Sequence, residues 1–435
     1  MVCRRFGLAR VSLTVTLALS AAAIANGTAQ AAGGAAAAAA AAAASAAAAA
    51  STSGHATPRI DLGPPADATD FTQPLSQTLN GYYDDYLAFK TQLQNDYNIQ
   101  FTMPVSVYGQ WAGPHGGPGN ASLVYTPDIS WTPFTDTSVG SGAVDFQLQS
   151  YQFWTRPTTG TRLGTMGLIT QTNAWGQDGY QIAQLTYTHT FPGNWLALAA
   201  GQYSFGNFDD NKYSGDAQTT FINYALAQSA TQTYTNAGTG AYVQINPNDS
   251  LQFAAGLQSA TDVTGHALTV NGLTNDEVAY FMSAQWTTTY LAGGVYNIIY
   301  YSQPSVPQQP SASKGISFSA SQDINETFGL FVRANNASGA AVPIETSIAF
   351  GGVVNNPFGR LRLDQLGLGV AWDKTNTSAI VGPSRSAEVI TELYYNYWLF
   401  KGLFVTPDVQ VYFNPALAPT TNVAGAFTLR TTLEF

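Results

Sequence analysis

Five polar side chains near the C-terminus carry the chemistry that this sequence offers. They are Glu388, Glu392, Asp408, Gln410 and Arg430. Carboxylate, amide and guanidinium groups hydrogen-bond hydroxylated or charged solutes. A pair of carboxylates can instead hydrolyse a glycosidic bond. The spacing of the two glutamates bears on which of these two kinds of chemistry applies.

The glutamate pair does not have the spacing of a glycosidase. On an extended strand, the four positions between Glu388 and Glu392 span about 13 Å, at about 3.3 Å per residue. Glycosidase carboxyls lie only about 5 to 9.5 Å apart, so a cross-strand pair is the one catalytic arrangement left open. The chain also contains neither G-x-S-x-G nor H-E-x-x-H. We therefore predict no catalytic residue and no enzyme.

Alternating side chains place the five candidates on the polar faces of the last strands. Apolar and polar residues alternate there with a period of two, which is the pattern of a β-strand with one apolar face. In the final strand, 423–435, Leu429 and Phe435 fall on one face and Arg430 and Glu434 on the other. The candidates therefore share one side of a predicted sheet.

The same alternation predicts sixteen strands. Their approximate ranges are 101–111, 143–155, 163–172, 180–190, 194–203, 240–245, 250–259, 277–286, 290–301, 315–322, 327–335, 345–353, 365–373, 387–398, 403–413 and 424–435. Short turns such as 323–326 lie at one end, and long loops such as 112–142 and 204–239 lie at the other. That segregation is typical of bacterial outer-membrane barrels, in which closure satisfies every backbone hydrogen bond. We predict an all-β, 16-stranded antiparallel transmembrane β-barrel over residues 99–435, with a water-filled lumen.

The long loop 204–239 contains an oxygen-rich stretch, FDDNKYSGD, at 208–216. The stretch lacks the glycine that a calcium loop needs at its sixth position. We interpret it as a loop tip, and the alternative is that the loop folds inward and narrows a pore. The four histidines also lack the spacing of metal ligands; they are His55, His115, His189 and His266. We predict no metal and no cofactor.

The N-terminal quarter has three predicted parts. Residues 1–31 combine arginines, a short apolar run and an Ala-x-Ala site, which is typical of a cleaved signal peptide. Residues 32–73 form an alanine-rich, low-complexity linker. Residues 74–98 carry a helical stripe of apolar residues at steps of four and three. This amphipathic helix is expected to pack against the main domain, with a short coiled coil as the alternative.

The composition argues against some classes of binding partner. Cleavage after residue 31 removes the single cysteine and three of 16 basic residues, leaving 13 basic against 26 acidic residues, a net charge of −13. Such an acidic chain is a poor nucleic-acid binder. Charged residues make up only 10% of the chain, against about 25% in a typical soluble domain. The net charge argues mildly against an anion channel, although arginines in the lumen would reverse it locally.

The C-terminal third resembles the carbohydrate-selective outer-membrane porins of the OprB type. The resemblance lies in GRLRLDQLGLGVAW, in AEVITELYYNYWLFKGLFVTPDVQVYFNPA and in the terminal aromatic residue. The matching positions are Arg362, Asp364, Gly367, Gly369, Glu392, Tyr395, Pro407, Asp408, Gln410, Asn414, Pro415 and Phe435. Weaker similarity runs through 201–226 and through the segment around 93–111.

The resemblance implies passive uptake of mono- and disaccharides through the lumen of an outer-membrane barrel. It also implies that Phe435 is the signal for the barrel-assembly machinery. The channel-lining candidates are the five residues above together with Arg360, Arg362 and Asp364. The expected partners are outer-membrane lipid and carbohydrate solutes, in a monomer or a homotrimer. The alternatives are a general or differently selective porin, a secreted soluble sugar-binding β protein and an outer-membrane enzyme.

Overall fold

The structure, a computed structural model, describes most of the chain from residue 74 onward. The described ranges are 74–113, 119–136, 138–156, 166–170, 178–231, 237–261, 268, 270–275, 277–307, 311–339 and 342–434. The predicted signal peptide 1–31, the predicted linker 32–73 and Phe435 lie outside the described residues.

One long helix, α1 (Pro74–Tyr97), precedes eighteen strand segments. The first nine segments are β1 (Ile99–Thr102), β2 (Val105–Gly113), β3 (Asn120–Tyr125), β4 (Asp128–Asp136), β5 (Gly140–Phe153), β6 (Gly179–Thr190), β7 (Leu196–Tyr203), β8 (Gly238–Asn248) and β9 (Leu251–Ser259). The others are β10 (Val278–Thr288), β11 (Gly294–Gln303), β12 (Ser313–Asp323), β13 (Phe328–Ser338), β14 (Ile344–Asn355), β15 (Gln365–Thr375), β16 (Ala387–Phe400), β17 (Leu403–Phe413) and β18 (Val423–Leu433). The short helices are α2 (Tyr224–Ala227), α3 (Asn271–Thr274) and a 3₁₀ turn at Phe205–Phe208.

These segments form one closed antiparallel sheet of sixteen staves. Two staves are each interrupted once: β1 continues into β2 across Pro104, and β3 continues into β4 across Pro127. The pairing of β1 with β4 keeps the register of β2 with β3, so each pair of segments acts as one strand. Proline cannot donate to a ladder, which accounts for both interruptions. The sheet closes where β18 pairs with β2, with Leu433 opposite Val105. The predicted 16-stranded barrel is therefore confirmed.

The predicted number of strands is confirmed, although one of the predicted strands is wrong. Residues 166–170, inside the predicted strand 163–172, form turns rather than a strand. Met166 and Leu168 are buried inside the barrel, so the apolar residues that resembled a strand serve packing instead. The stave formed by β3 and β4 lies inside the predicted loop 112–142.

The two faces of the barrel differ as the alternation predicts. Side chains on the outer face remain exposed: Leu393 is 44% exposed and Val409 is 46% exposed. Their sequence neighbours on the inner face, Glu392 and Asp408, are fully buried. Exposed apolar side chains arranged around a closed sheet are typical of a lipid-facing surface. No helix among the described residues is both long enough and apolar enough to span a membrane.

Helix α1 packs at the end of the barrel that carries the short turns. The Lys401 ammonium contacts the Asp84 carboxylate at 3.0 Å, and the Lys401 backbone N–H donates to Asn80 Oδ1 at 2.7 Å. Lys90 lies over the Phe101 ring, 5.0 Å from its centroid. Burial lowers the pKa of Lys90, while the Glu434 carboxylate acts in the opposite direction. In this structure α1 is thus a packed helix.

Candidate functional site

The long loop between β7 and β8 folds into the barrel interior. We call residues 204–231 the inserted loop. Phe205 and Phe221 are fully buried, and their rings pack against residues on the inner faces of the strands, Phe205 on Phe281 and Phe221 on Phe331. Of the two interpretations of 208–216, the inward-folding loop is the one that the structure contains.

Arg333, on the inner face of β13, holds the descending part of the inserted loop. Its Nη1 donates to Asp209 Oδ2 at 2.6 Å, and its Nε donates to the Ser214 carbonyl oxygen at 2.9 Å. The side chains of Arg333 and Asp209 are only 1% and 4% exposed. A charge pair this deeply buried is strongly destabilised when one partner is removed, so the contact ties the loop to the wall.

The tip of the inserted loop reaches the short-turn end of the barrel. The Lys212 ammonium lies 2.7 Å from Asp323 Oδ2, at the end of β12. The Tyr213 hydroxyl donates to the same carboxylate. The ring of Tyr213 occupies the space that any side chain at Gly329 would fill. The loop therefore crosses most of the barrel height.

Arg430, on β18, holds the returning part of the loop. Its Nη1 donates to the carbonyl oxygens of Ala217 at 2.6 Å and Thr220 at 2.8 Å. The neighbouring Thr432 hydroxyl donates to the Gln218 carbonyl oxygen at 2.9 Å. Peptide oxygens inside the lumen need such donors. A predicted channel-lining arginine is thus bonded to loop backbone.

Glu392 accepts from the backbone at the start of α2. The N–H groups of Ile222 and Asn223 donate to its two carboxylate oxygens at 2.5 Å and 2.9 Å. Asn223 is also the N-cap of α2, since its Oδ1 accepts from Ala225 N–H at 2.9 Å. Its Nδ2 donates to Gln410 Oε1 at 3.3 Å. Glu392 and Gln410, both predicted from the sequence, meet at this cap.

The glycine motif of β15 makes room for the inserted loop. A Cβ atom at Gly369 would lie 2.9 Å from a methyl carbon of Leu226 and 3.0 Å from the ring of Phe221. Those separations are too short for ordinary carbon contacts. The inner wall must therefore carry no side chain at Gly369 for the loop to pack there.

Glu388 and Asp408 are also buried on the inner wall. Glu388 accepts from the N–H of Ile169 at 3.1 Å and of Ala416 at 2.8 Å, and it thereby joins two long-loop segments. Asp408 accepts from Gln410 Nε2 at 3.0 Å. All five candidates on β16 to β18 therefore lie inside the barrel, covered by loop residues rather than open to the lumen.

The other three candidates lie in the turn between β14 and β15. Arg360 Nε donates to Asp364 Oδ2 at 2.7 Å, and the guanidinium lies 3.8 Å from the Tyr397 ring centroid. The Tyr395 hydroxyl donates to Asp364 at 2.7 Å, and Arg362 is exposed. This group orders a turn at the short-turn end and does not meet the five residues in the interior.

The inserted loop leaves part of the inner wall uncovered. Its Gln218 bonds to Thr126, at the junction of β3 and β4, and its Asn207 donates to Gln184 Oε1 on β6 at 3.1 Å. Between these two contacts lie the inner faces of β4 and β5, where Asp128 and Asp145 are only half-buried. We call the space between this wall and the inserted loop the passage.

The half-buried polar side chains of the inner wall are not among the candidates that the sequence predicts. On β4 to β6 and farther round, on β8 to β10, half-buried polar side chains point inward; they are Asp128, Ser130, Asp145, Gln184, Gln244, Gln252 and Gln285. Alternation in 128–136 was the available signal, and Pro127 and Pro133 obscured it. Among the described residues, no group of three His, Cys, Asp or Glu side chains could hold a metal ion.

Comparisons with known proteins agree with this geometry. A profile of the carbohydrate-selective porin, OprB family, matches residues 148–435. Porin AaxA of Chlamydia pneumoniae is 34% identical over 356 residues, covering 79% of this chain and 81% of the relative. Porin AaxA of Chlamydia felis (strain Fe/C-56) is 30% identical over 352 residues, covering 78% of each chain.

A solved structure shows the same fold. The high-pH structure of Pseudomonas putida OprB matches with a TM-score of 0.67 at 17% identity, covering 81% of this chain and 97% of that one. The family and the barrel indicate a channel rather than an enzyme, and they imply an outer-membrane location. The chain belongs to the OprB family of carbohydrate-selective porins.

Proposed function

We propose that this porin gives passive, diffusive uptake of carbohydrates, mono- and disaccharides, through the passage. The observation that carries the proposal is the chemistry of the uncovered wall. On that wall Ser130 and the acceptor carboxylates of Asp128 and Asp145 are half-buried, and the amides of Gln184, Gln244, Gln252 and Gln285 continue the polar inner face on β6 and on β8 to β10. Hydroxyl and amide groups dominate this inner face as a whole. These groups both donate and accept hydrogen bonds, as sugar hydroxyls do.

Hydroxyl and amide groups suit rapid passage of hydroxylated solutes. A channel must bind its solute strongly enough to admit it and weakly enough to release it. A net hydrogen bond between neutral groups is worth only about 0.5–1.5 kcal/mol. Several such groups along the wall replace water around a sugar without trapping it.

The five candidates on β16 to β18 contribute through the inserted loop in this proposal. Arg430, Glu392 and Gln410 bond to residues of the loop, while Glu388 bonds to other long-loop segments. Their part in permeation is to set the width of the passage. Asp408 joins them through Gln410, and Arg360, Arg362 and Asp364 shape the short-turn mouth.

Export and assembly complete the proposal. The pattern of residues 1–31 supports a cleaved signal peptide. The barrel-assembly machinery would recognise the terminal strand through Phe435. Outer-membrane lipid would surround the barrel, as a monomer or a homotrimer.

Reconstitution into liposomes tests the proposal. Osmotic swelling is measured with mono- and disaccharides, and with amino acids and ions of matched size. Carbohydrates should enter faster than size-matched solutes. Equal rates for all solutes of one size would reject carbohydrate selectivity and leave a general porin.

A gel experiment tests the soluble sugar-binding alternative. A porin should be recovered in the detergent-resistant membrane fraction and should change its mobility on boiling. Recovery in the aqueous periplasmic fraction without a change in mobility would contradict the proposed function itself.

A further inference from the structure

We infer that the passage conducts small cations in preference to anions, with Asp128 and Asp145 as the residues that set this preference. The inference rests on the proposed function only in requiring that the passage conduct. It concerns the sign of the charge that a solute meets, which neither the net charge of the chain nor the presence of lumen arginines decides. The position of each charged side chain relative to the inserted loop decides it.

The two arginines of the barrel interior are turned away from the passage. Arg333 is 1% exposed and Arg430 is fully buried, both between the strand wall and the inserted loop. Arg333 is neutralised by Asp209, and Arg430 donates to loop carbonyl oxygens. Neither guanidinium is therefore in contact with a solute in the passage.

One further cation belongs to the described interior. Lys212, at the tip of the inserted loop, lies 2.7 Å from Asp323 and is neutralised there. Within the described strand interiors and the inserted loop, no other lysine or arginine points inward. The positive charges of the interior are thus paired or covered.

The carboxylates of the passage are placed differently. Asp128 and Asp145 lie on the inner faces of β4 and β5, half-buried, where Asp145 accepts from Ser130 Oγ at 2.7 Å and Asp128 from Gln147 Nε2 at 3.2 Å. These partners are neutral, so they orient the carboxylates without cancelling their charge.

Two carboxylates of the inserted loop also have no basic partner. Asp210 and Asp216, on the inserted loop, are half-buried. Among the described residues neither has a lysine or arginine within ion-pair distance. Gln218 of the inserted loop meets Thr126, two positions before Asp128. A narrow polar path whose uncompensated wall charges have one sign concentrates counter-ions of the other sign.

Reversal potentials in planar bilayers test this inference. The protein is studied under a KCl gradient, and the permeability ratio of K⁺ to Cl⁻ is calculated for each variant. We expect a ratio of about 3 to 10, since a tenfold ratio requires only about 1.4 kcal/mol. The double substitution Asp128→Asn with Asp145→Asn should lower the ratio at least about twofold. The control Asp249→Asn, in the exposed turn after β8, should leave it unchanged.

Each outcome separates this inference from the proposed function. A Cl⁻-preferring channel, or an unchanged ratio in the double variant, would overturn the inference while sugar swelling still supports a sugar porin. A protein without conductance or swelling would overturn both.

If the double variant fails to insert into the membrane, the salt dependence of the unmodified protein still tests the inference. The preference should weaken between 0.1 M and 1 M KCl, because the screening length falls from about 10 Å to about 3 Å. A preference that does not change with salt would contradict control by the passage carboxylates.

Discussion

Replacing Arg333 by methionine should release the inserted loop from the wall of the barrel. The substitution keeps most of the side-chain volume and removes the donors to Asp209 and Ser214, whose bonds measure 2.6 Å and 2.9 Å. Asp209, only 4% exposed, would remain without its charged partner. Removing one partner of a buried pair costs about 3–5 kcal/mol.

That cost is large for a local equilibrium. Since every 1.4 kcal/mol is a factor of ten, the released state of the loop should gain about 10² to 10⁴ relative to the inserted state. A released loop widens the passage, so the single-channel conductance should rise and sugar selectivity should fall. Proteases should also cut the loop near Ser214, which is buried in the unmodified protein.

A double substitution controls for the buried charge. Adding Asp209→Leu to Arg333→Met removes both charges, and replacing a whole buried pair by apolar residues is often nearly neutral. The double variant should therefore recover part of the lost protection. Heat-modifiable migration on gels monitors the barrel itself. Unchanged conductance and a protected loop in Arg333→Met would refute the role assigned to this pair.

Three further substitutions and one deletion test other parts of the proposal. Glu392→Ala leaves two backbone N–H groups without their charged acceptor, at about 1.5–3 kcal/mol each, and should change sugar swelling more than membrane insertion; normal swelling per channel with poor insertion would contradict this. Gly369→Leu overpacks the inner wall by about 1–3 kcal/mol and should lower the unfolding temperature, whereas Gly113→Leu, which has open space, should not. Lys401→Met should loosen α1 by at most about 1 kcal/mol, because its partner is half-exposed; hydrogen exchange of α1 measures it. Deleting Phe435 should impair insertion of newly made protein in cells, and normal insertion would exclude it as the assembly signal.

The glycine motif of β15 shows what a sequence pattern predicts and what it leaves out. The residues around Gly369 resemble a family motif without revealing what the glycine accommodates. Its neighbours in the fold are Phe221 and Leu226, which are far away along the chain. A glycine that leaves room for a distant loop has no local signature, because the steric demand comes from the loop.

One strand that the pattern does not predict and one segment that it wrongly predicts as a strand show where alternation fails. Over 128–136 the alternation predicts no strand, because Pro127 and Pro133 interrupt the pattern, although ladder bonds to β5 hold these residues in the sheet. Apolar residues also predict a strand over 163–172, but those at 166–170 are buried inside the barrel in turns. Periodicity reports that side chains are buried, and it does not distinguish a lipid-facing strand from a loop packed inside the lumen.

The sequence by itself determined the closed barrel and the inner or outer face of each C-terminal side chain. These properties follow from a period of two along one strand and from closure in a bilayer. The local order of residues in the sequence is therefore sufficient to predict them. Only the tertiary structure decided which inner side chains border the passage. The inserted loop covers Arg430 and Glu392 and leaves Asp128 and Asp145 uncovered. That choice depends on where one loop binds across the lumen, which is set by contacts between residues far apart in the chain.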